Sequence, residues 1–217
     1  RRVLFRSERF KIPVVTTLMG IGGIDTQHEL CMHMLGMHGT AYANYAVEDC
    51  DFLFAVGSRF DDRVAGNVAE FAPHARIAHI DIDAAEIGKV KQVQWSHIGD
   101  AGLALRDLLN AGKGVKRDFA PWLKHLNTMK SKHPLAYDRA SNLIQPPYVL
   151  EMLNEVTKGN AIICTGVGQH QMWSAQYCQI HEPRAFITSG SMGTMGFGLP
   201  SSIGAQCGRP DKTVIDI

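Results

Sequence analysis

The residues best placed to do chemistry are Gly166 to Trp173, GVGQHQMW. An apolar run, Ala161-Ile162-Ile163-Cys164-Thr165, precedes them, and a helix-compatible segment, Met172 to Cys178, follows. Strand, glycine turn and helix bring several backbone N–H groups and the positive end of a helix dipole to one point. Such a point attracts anions, and glycines at 166 and 168 let a diphosphate approach the backbone closely. A second glycine-dense turn, SGSMGTMGFGLP, spans Ser189 to Pro200. The two turns would lie side by side if their strands pair in parallel. As a dinucleotide fingerprint the first turn is incomplete, because Gln171 stands where a third glycine would allow close helix–strand packing. On glycine content alone, two ordinary strand-to-helix turns of an α/β domain remain an open reading.

A second set of chemical groups lies upstream. In VGSRFDDRVAGN, Arg59 and Arg63 bracket Asp61 and Asp62 just past an apolar strand. Arginine recognises phosphate or carboxylate through a planar, bidentate fork. The same four charges also read as a self-neutralising surface cluster. Asp81 and Asp83 close another strand, where an acid commonly accepts from a ribose hydroxyl. Asp83 equally suits a cap for a helix starting at Ala84, and Asp100 one for a helix from Ala101. His38, between glycines in GMHG, is sterically open; a lone loop histidine is otherwise structural.

These groups need a scaffold, and the apolar pattern supplies it. Strands are expected at 11–17, 52–56, 77–82 and 98–100, and helices at 29–35, 41–47, 101–110 and 121–132, the last opened by Pro121. Lys113 to Arg117 reads as a break and the polar stretch 133–145 as a linker. A second unit follows: a helix from Pro146-Pro147 to Gly159, strands at 161–165, 185–188 and 213–217, and a helix ending near Cys207. Alternating strands and helices predict α/β architecture: two Rossmann-like, parallel-sheet domains whose ligands gather at the carboxyl ends of the strands.

Composition narrows the function classes. A net charge of +1 argues against nucleic acid or an anionic membrane surface as the main partner. No apolar run reaches bilayer length. Five scattered cysteines, without a CxxC pair, argue against a disulfide or zinc framework and fit a reducing compartment. None of the ten histidines has HExxH or other metal spacing, so no metal ligand set is assigned. Arg1 to Phe10, RRVLFRSERF, is basic and reads either as a cloning or tag remnant or as the start of an amphipathic helix. The chain stops inside an apolar strand, Thr213 to Ile217, and so reads as a fragment with both domains truncated.

GVGQHQMW and ITSGSMGTMGFGLP, together with LMG, MLGMHGT and VGSRFDDRVAGN, resemble the large catalytic subunits of the acetolactate (acetohydroxyacid) synthases, a thiamine-diphosphate (ThDP) enzyme family. The resemblance runs from about Lys11 to Ile217. It implies a segment at 1–10 foreign to the family, a central FAD-binding-type domain at 11–132 lacking its first strand, a linker at 133–145, and the N-terminal part of a ThDP domain at 146–217. FAD contacts are then implied for Thr17, Leu18, Gly36, Met37, His38, Gly57, Arg59, Asp61, Val64, Asp81, Ile82, Glu86, Asp100 and Ala101, with Glu86 departing from the family pattern. Met37, Asp62 and Arg63 would border the substrate channel, Arg63 facing an acceptor carboxylate. Gly168, Gln169 and His170 would meet the ThDP diphosphate. Gly193 and Met195 would flank the aminopyrimidine, Met195 bending the cofactor; alone, Met195 also reads as a core gap-filler. Ser191-Met192 departs from the usual Gly-Leu, a strain of about 1 kcal/mol if position 191 needs positive φ.

The implied reaction decarboxylates pyruvate on ThDP and joins the two-carbon unit to pyruvate or 2-ketobutyrate, a step in branched-chain amino acid biosynthesis. The activating glutamate is expected in an absent upstream domain and the Mg2+ ligands just after Ile217, so no catalytic residue is assigned within the chain. The resemblance further implies a homodimer, with a regulatory small subunit possible, in the bacterial cytoplasm or a eukaryotic organelle. Another ThDP-dependent 2-keto acid lyase or decarboxylase, or a non-catalytic nucleotide-binding module, are the alternatives.

Overall fold

The computed structural model describes residues 7–217. The sequence reading of residues 1–6 lies outside them; residues 7–10 are helical. The first half alternates strand and helix: β1 (Val14–Thr16), β2 (Cys31–Met34), α1 (Ala41–Glu48), β3 (Phe52–Val56), α2 (Asp62–Ala65), β4 (Arg76–Asp81), β5 (Trp95–Ile98), α3 (Ala101–Ala111) and α4 (Ala120–Lys132). Its strands form two parallel sheets, β1–β2 and β3–β4–β5. One helical layer serves both: Val15 of β1 and Leu53 of β3 pack on the same core, built from Tyr42, Ala43 and Val47 of α1 and Leu126 of α4. Alanines at 43 and 46 let α1 approach closely, and Thr40 caps it by accepting from the Ala43 N–H at 3.2 Å.

The second half contains α5 (Pro146–Thr157), β6 (Ile162–Thr165), α6 (Gln169–Tyr177), β7 (Phe186–Thr188), α7 (Gly198–Gly208) and β8 (Val214–Asp216). Its parallel sheet runs β7–β6–β8. β6 is central and wholly buried, so it reads as a continuous apolar run rather than an alternating one. Two prolines open α5, where the missing N–H groups need no partner. The two halves share one core: Ile21 and Met34 pack with Leu150, Ile163, Ala175 and Ile180. Thr26 clasps Ile180 through both backbone and hydroxyl, and His181 lies 3.0 Å from Asp25.

Two elements differ from the sequence reading. Residues 29–35 are not helical: Cys31–Met34 is strand β2, paired with β1. Three of its four residues are buried, so burial against β1 and the second domain outweighs the helix propensity of Leu and Met. The strand expected at 98–100 is Trp95–Ile98, because Gly99 and Asp100 instead turn the chain into α3. Ser191 is not among the left-handed residues, so the strain considered for it does not arise.

Candidate cofactor and substrate site

The site is built where β6, α6, α7 and β8 converge. Of the amides after Thr165, that of Gly166 is taken by the Ile217 carbonyl at 2.9 Å. Those of Val167, Gly168, Gln169 and His170 donate to no protein acceptor among the described residues. Gly168 is the N-cap of α6 and no side chain caps the helix there. Four unpaired donors at an uncapped helix start form a partial positive charge facing outward. Gly193, at φ 62, stands beside them: a side chain there would meet only Val167, at 3.7 Å. The Gly193 side of the turn is therefore sterically open.

Gln171 explains why the third glycine is missing. It is 4% exposed, and its amide donates to the Thr188 hydroxyl at 2.6 Å and to the Ser189 carbonyl at 3.2 Å. Thr188 also bonds Thr165, 2.7 Å between hydroxyl oxygens. This strut ties the two glycine turns together at the ends of β6 and β7. Gly198 completes the junction; a side chain there would lie 2.6 Å from the Gly166 nitrogen and would collide with the Asp216 carboxylate. The sequence reading missed Thr165, Thr188, Gln171 and Gly198. A threonine closing each of two successive strands was the available signal.

Met195 is 79% exposed, which excludes a gap-filling core role. The exposed side chain is available to a ligand between the turns. Burial pushes the Cys178 thiol up to about 12 and that of Cys50 to about 11, and it also raises Cys31 and Cys164. Thiolate nucleophiles are therefore not what these four positions offer.

The first-half candidates all fall at carboxyl ends of strands, in two groups. Thr17, Leu18, Gly36, Met37, His38 and α2 with its cap Asp61 form one. Met37 N–H donates to the Arg63 carbonyl at 2.8 Å, and Gly36, at φ 96, packs its α-carbon against Arg63 and Val64 so closely that no side chain fits. Asn44 brackets Gly36 by bonding both its N–H and its carbonyl. Met37, Asp62 and Arg63 present exposed side chains. Arg59 pairs with Asp61 at 3.1 Å, and Asp61 also caps α2. The neutralised-cluster reading thus holds for Arg59 and Asp61, whereas Asp62 and Arg63 are 3.9 Å apart and open.

Gly57, Asp81, Ile82, Glu86, Asp100 and Ala101 form the second group, across the ends of β3, β4 and β5. Gly57 N–H bonds the Ile80 carbonyl, and Gly99 N–H bonds that of Asp81. Nothing stands within 4 Å of a side chain built at Gly57, so its backbone is approachable. Asp83 and Asp100 are caps, accepting from Ala85 and Leu103. Glu86 is engaged by Lys89 at 2.8 Å, and Ile82 is exposed. Asp81 holds the Asp83 N–H with one oxygen; the other lies 3.6 Å from Nε2 of His79, a fully buried ring whose two nitrogens have no hydrogen-bond partner among the described residues. The first group touches the second domain at two places. The Gln176 side chain of α6 donates to the His38 carbonyl at 2.8 Å, and Leu18 and Met19 pack on Gly190.

The fold and this junction define a two-unit parallel α/β protein that presents its polar groups at the carboxyl ends of its strands. Residues 4–108 match the thiamine pyrophosphate enzyme central domain, and residues 166–217 match the thiamine pyrophosphate enzyme C-terminal TPP binding domain. The chain belongs to the thiamine pyrophosphate enzyme family. It is 54% identical over 210 residues to acetolactate synthase 1, chloroplastic, of Nicotiana tabacum, covering 95% of this chain and 32% of the relative. To acetolactate synthase, chloroplastic, of Arabidopsis thaliana the identity is 52%, covering 95% and 31%. To the acetolactate synthase large subunit of Corynebacterium glutamicum it is 48%, covering 94% and 33%. The chain thus spans about a third of the length of these relatives.

Proposed function

We propose that this chain carries the central domain and the start of the cofactor domain of an acetolactate synthase, which condenses two 2-keto acids with loss of CO2 in branched-chain amino acid biosynthesis. The observation that carries this reading is the uncapped start of α6, with its free amides at 167–170 beside the open Gly193 turn. Gly168, Gln169 and His170 would hold the diphosphate of ThDP, and Gly193 and Met195 would border its aminopyrimidine. When bound, ThDP supplies the electron sink for decarboxylation. The chain's own residues hold the two turns in register, through Gln171, and offer Arg63 to the carboxylate of the acceptor keto acid.

Mg2+ and a structural FAD are the further cofactors of this reading. FAD would lie across the ends of β1 to β5, where Gly57 leaves its backbone open. The working form is a homodimer, with a regulatory subunit as a further partner, in the cytoplasm of a bacterium or an organelle of a eukaryote. No helix among the described residues is long and apolar enough to cross a membrane. The deciding experiment is a substrate panel on the complete enzyme with ThDP, Mg2+ and FAD. A preference for 2-ketobutyrate over aldehydes as acceptor is expected; simple decarboxylation without condensation would move the protein to another lyase of the family.

A further inference from the structure

Strand β2 has one residue too many for its partner. Val14 pairs with Cys31 and Thr16 with Met34, so a two-residue step along β1 matches a three-residue step along β2. His33 lies in this bulge at φ 61, a left-handed conformation that a non-glycine residue keeps only where its surroundings hold it. The imidazole is held at both nitrogens. Nε2 is 2.8 Å from the Thr26 carbonyl, which can only accept, so Nε2 carries the proton. Nδ1 then accepts from the Tyr42 hydroxyl at 2.6 Å. Burial pulls the His33 pKa down, which keeps the ring in the neutral form that both bonds require.

Each bond leads to a different part of the site. Tyr42 sits on α1, whose cap Thr40 closes the following turn by donating its N–H to Met34 at 2.9 Å. Thr26 is the residue that clasps Ile180 of the second domain, at 3.0 Å and 2.9 Å. Just past the bulge the chain enters Gly36–His38, where Met37 bonds Arg63 and His38 accepts from Gln176 of α6.

We propose that His33 is a positioning residue: its locked bulge fixes where the Gly36–His38 turn stands relative to Arg63 and to α6. The inference rests on the reading of Met37, Asp62 and Arg63 as the acceptor wall. A bulge re-aims the strand that carries it. Here it turns the exit of β2 so that the backbone of Met37 reaches the Arg63 carbonyl. The Thr26 clasp and the Gln176 bond then fasten the same turn to the cofactor side.

Three variants test this: His33→Gly, which keeps the backbone conformation and removes the ring; His33→Asn, which tolerates the conformation with a shorter polar group; and Tyr42→Phe, which removes one bond. By hydrogen exchange on the complete enzyme, the amides of Leu35, Met37 and Thr40 are expected to exchange about tenfold faster in His33→Gly, the worth of one or two hydrogen bonds, while Ala78 and Ile80 of β4 keep their rates. Tyr42→Phe is expected to raise the acceptor KM several-fold with kcat and FAD content little changed. Unchanged exchange in all three variants overturns the proposal, and so does acceleration of every amide alike. Faster exchange confined to the turn, with an unchanged acceptor KM, upholds His33 as the anchor and refutes the assignment of that turn to the acceptor.

Discussion

Replacing Gln171 by methionine removes two hydrogen bonds while nearly keeping volume, and so isolates the strut between the glycine turns. The side chain is buried and bonds Thr188 and Ser189. Thr188 keeps its bond to Thr165, so its hydroxyl is not left alone. The Ser189 carbonyl loses its side-chain partner. At about 1 kcal/mol per bond, with about 1 kcal/mol more for the carbonyl left short, the loss is about 2–3 kcal/mol. For a cooperative unit of about 150–250 residues that lowers the melting temperature by roughly 5–10 °C. The second turn should then drift from the α6 amides, and ThDP affinity should fall by about tenfold, equivalent to about 1.4 kcal/mol. Trp173 lies two residues further on in α6, so its fluorescence reports both melting and ThDP titration of the complete enzyme. A melting point lowered as expected, with ThDP affinity unchanged, would refute the claim that Gln171 holds the cofactor site in register.

Further outcomes follow from the same geometry. Gly198→Ala places a methyl against the Asp216 carboxylate and the Gly166 nitrogen, and should cost about 1–3 kcal/mol in denaturant melts. Asp100→Ala removes the cap of α3, which accepts from Leu103 at 2.7 Å, and should cost about 1 kcal/mol by the same measurement, with Asp100→Asn nearly neutral. The hydrogen bond from Tyr137, aided by Arg139, holds Glu151 below its usual 4.5. Its stabilisation is therefore complete above pH 4.5 and is lost as pH falls through the lower folded pKa; melting curves of wild type and Glu151→Gln should converge on the acid side. The isolated 217-residue chain should form no acetolactate from pyruvate with ThDP, Mg2+ and FAD; colour above background would contradict this.

The parallel α/β plan was legible because strands such as 162–165, wholly buried, and 52–56, buried only at Ala55, are both short apolar runs ending at glycine or polar turns. β2 was not: Leu30 and Met34 sit at helical spacing, and a strand buried on both faces has no alternation to betray it. β5 was misplaced for the opposite reason, since all four of its residues are exposed and no pattern marks them. At the site, the glycine turns were legible from local chemistry alone. Gln171 looked like a defect in a fingerprint because its partners, Thr188 and Ser189, are seventeen and eighteen residues away and meet it only through the pairing of β6 with β7. The aspartates at 83 and 100 carried both a capping and a ligand reading, and the structure uses them as caps.

The assignment turns on what binds the start of α6. A crystal structure of the complete enzyme with ThDP and Mg2+ answers it. Diphosphate oxygens within hydrogen-bond distance of the Gly168, Gln169 and His170 amides, beside Gly193, are the predicted result. A diphosphate seated elsewhere, with those amides bonded to protein or bulk water, would contradict it.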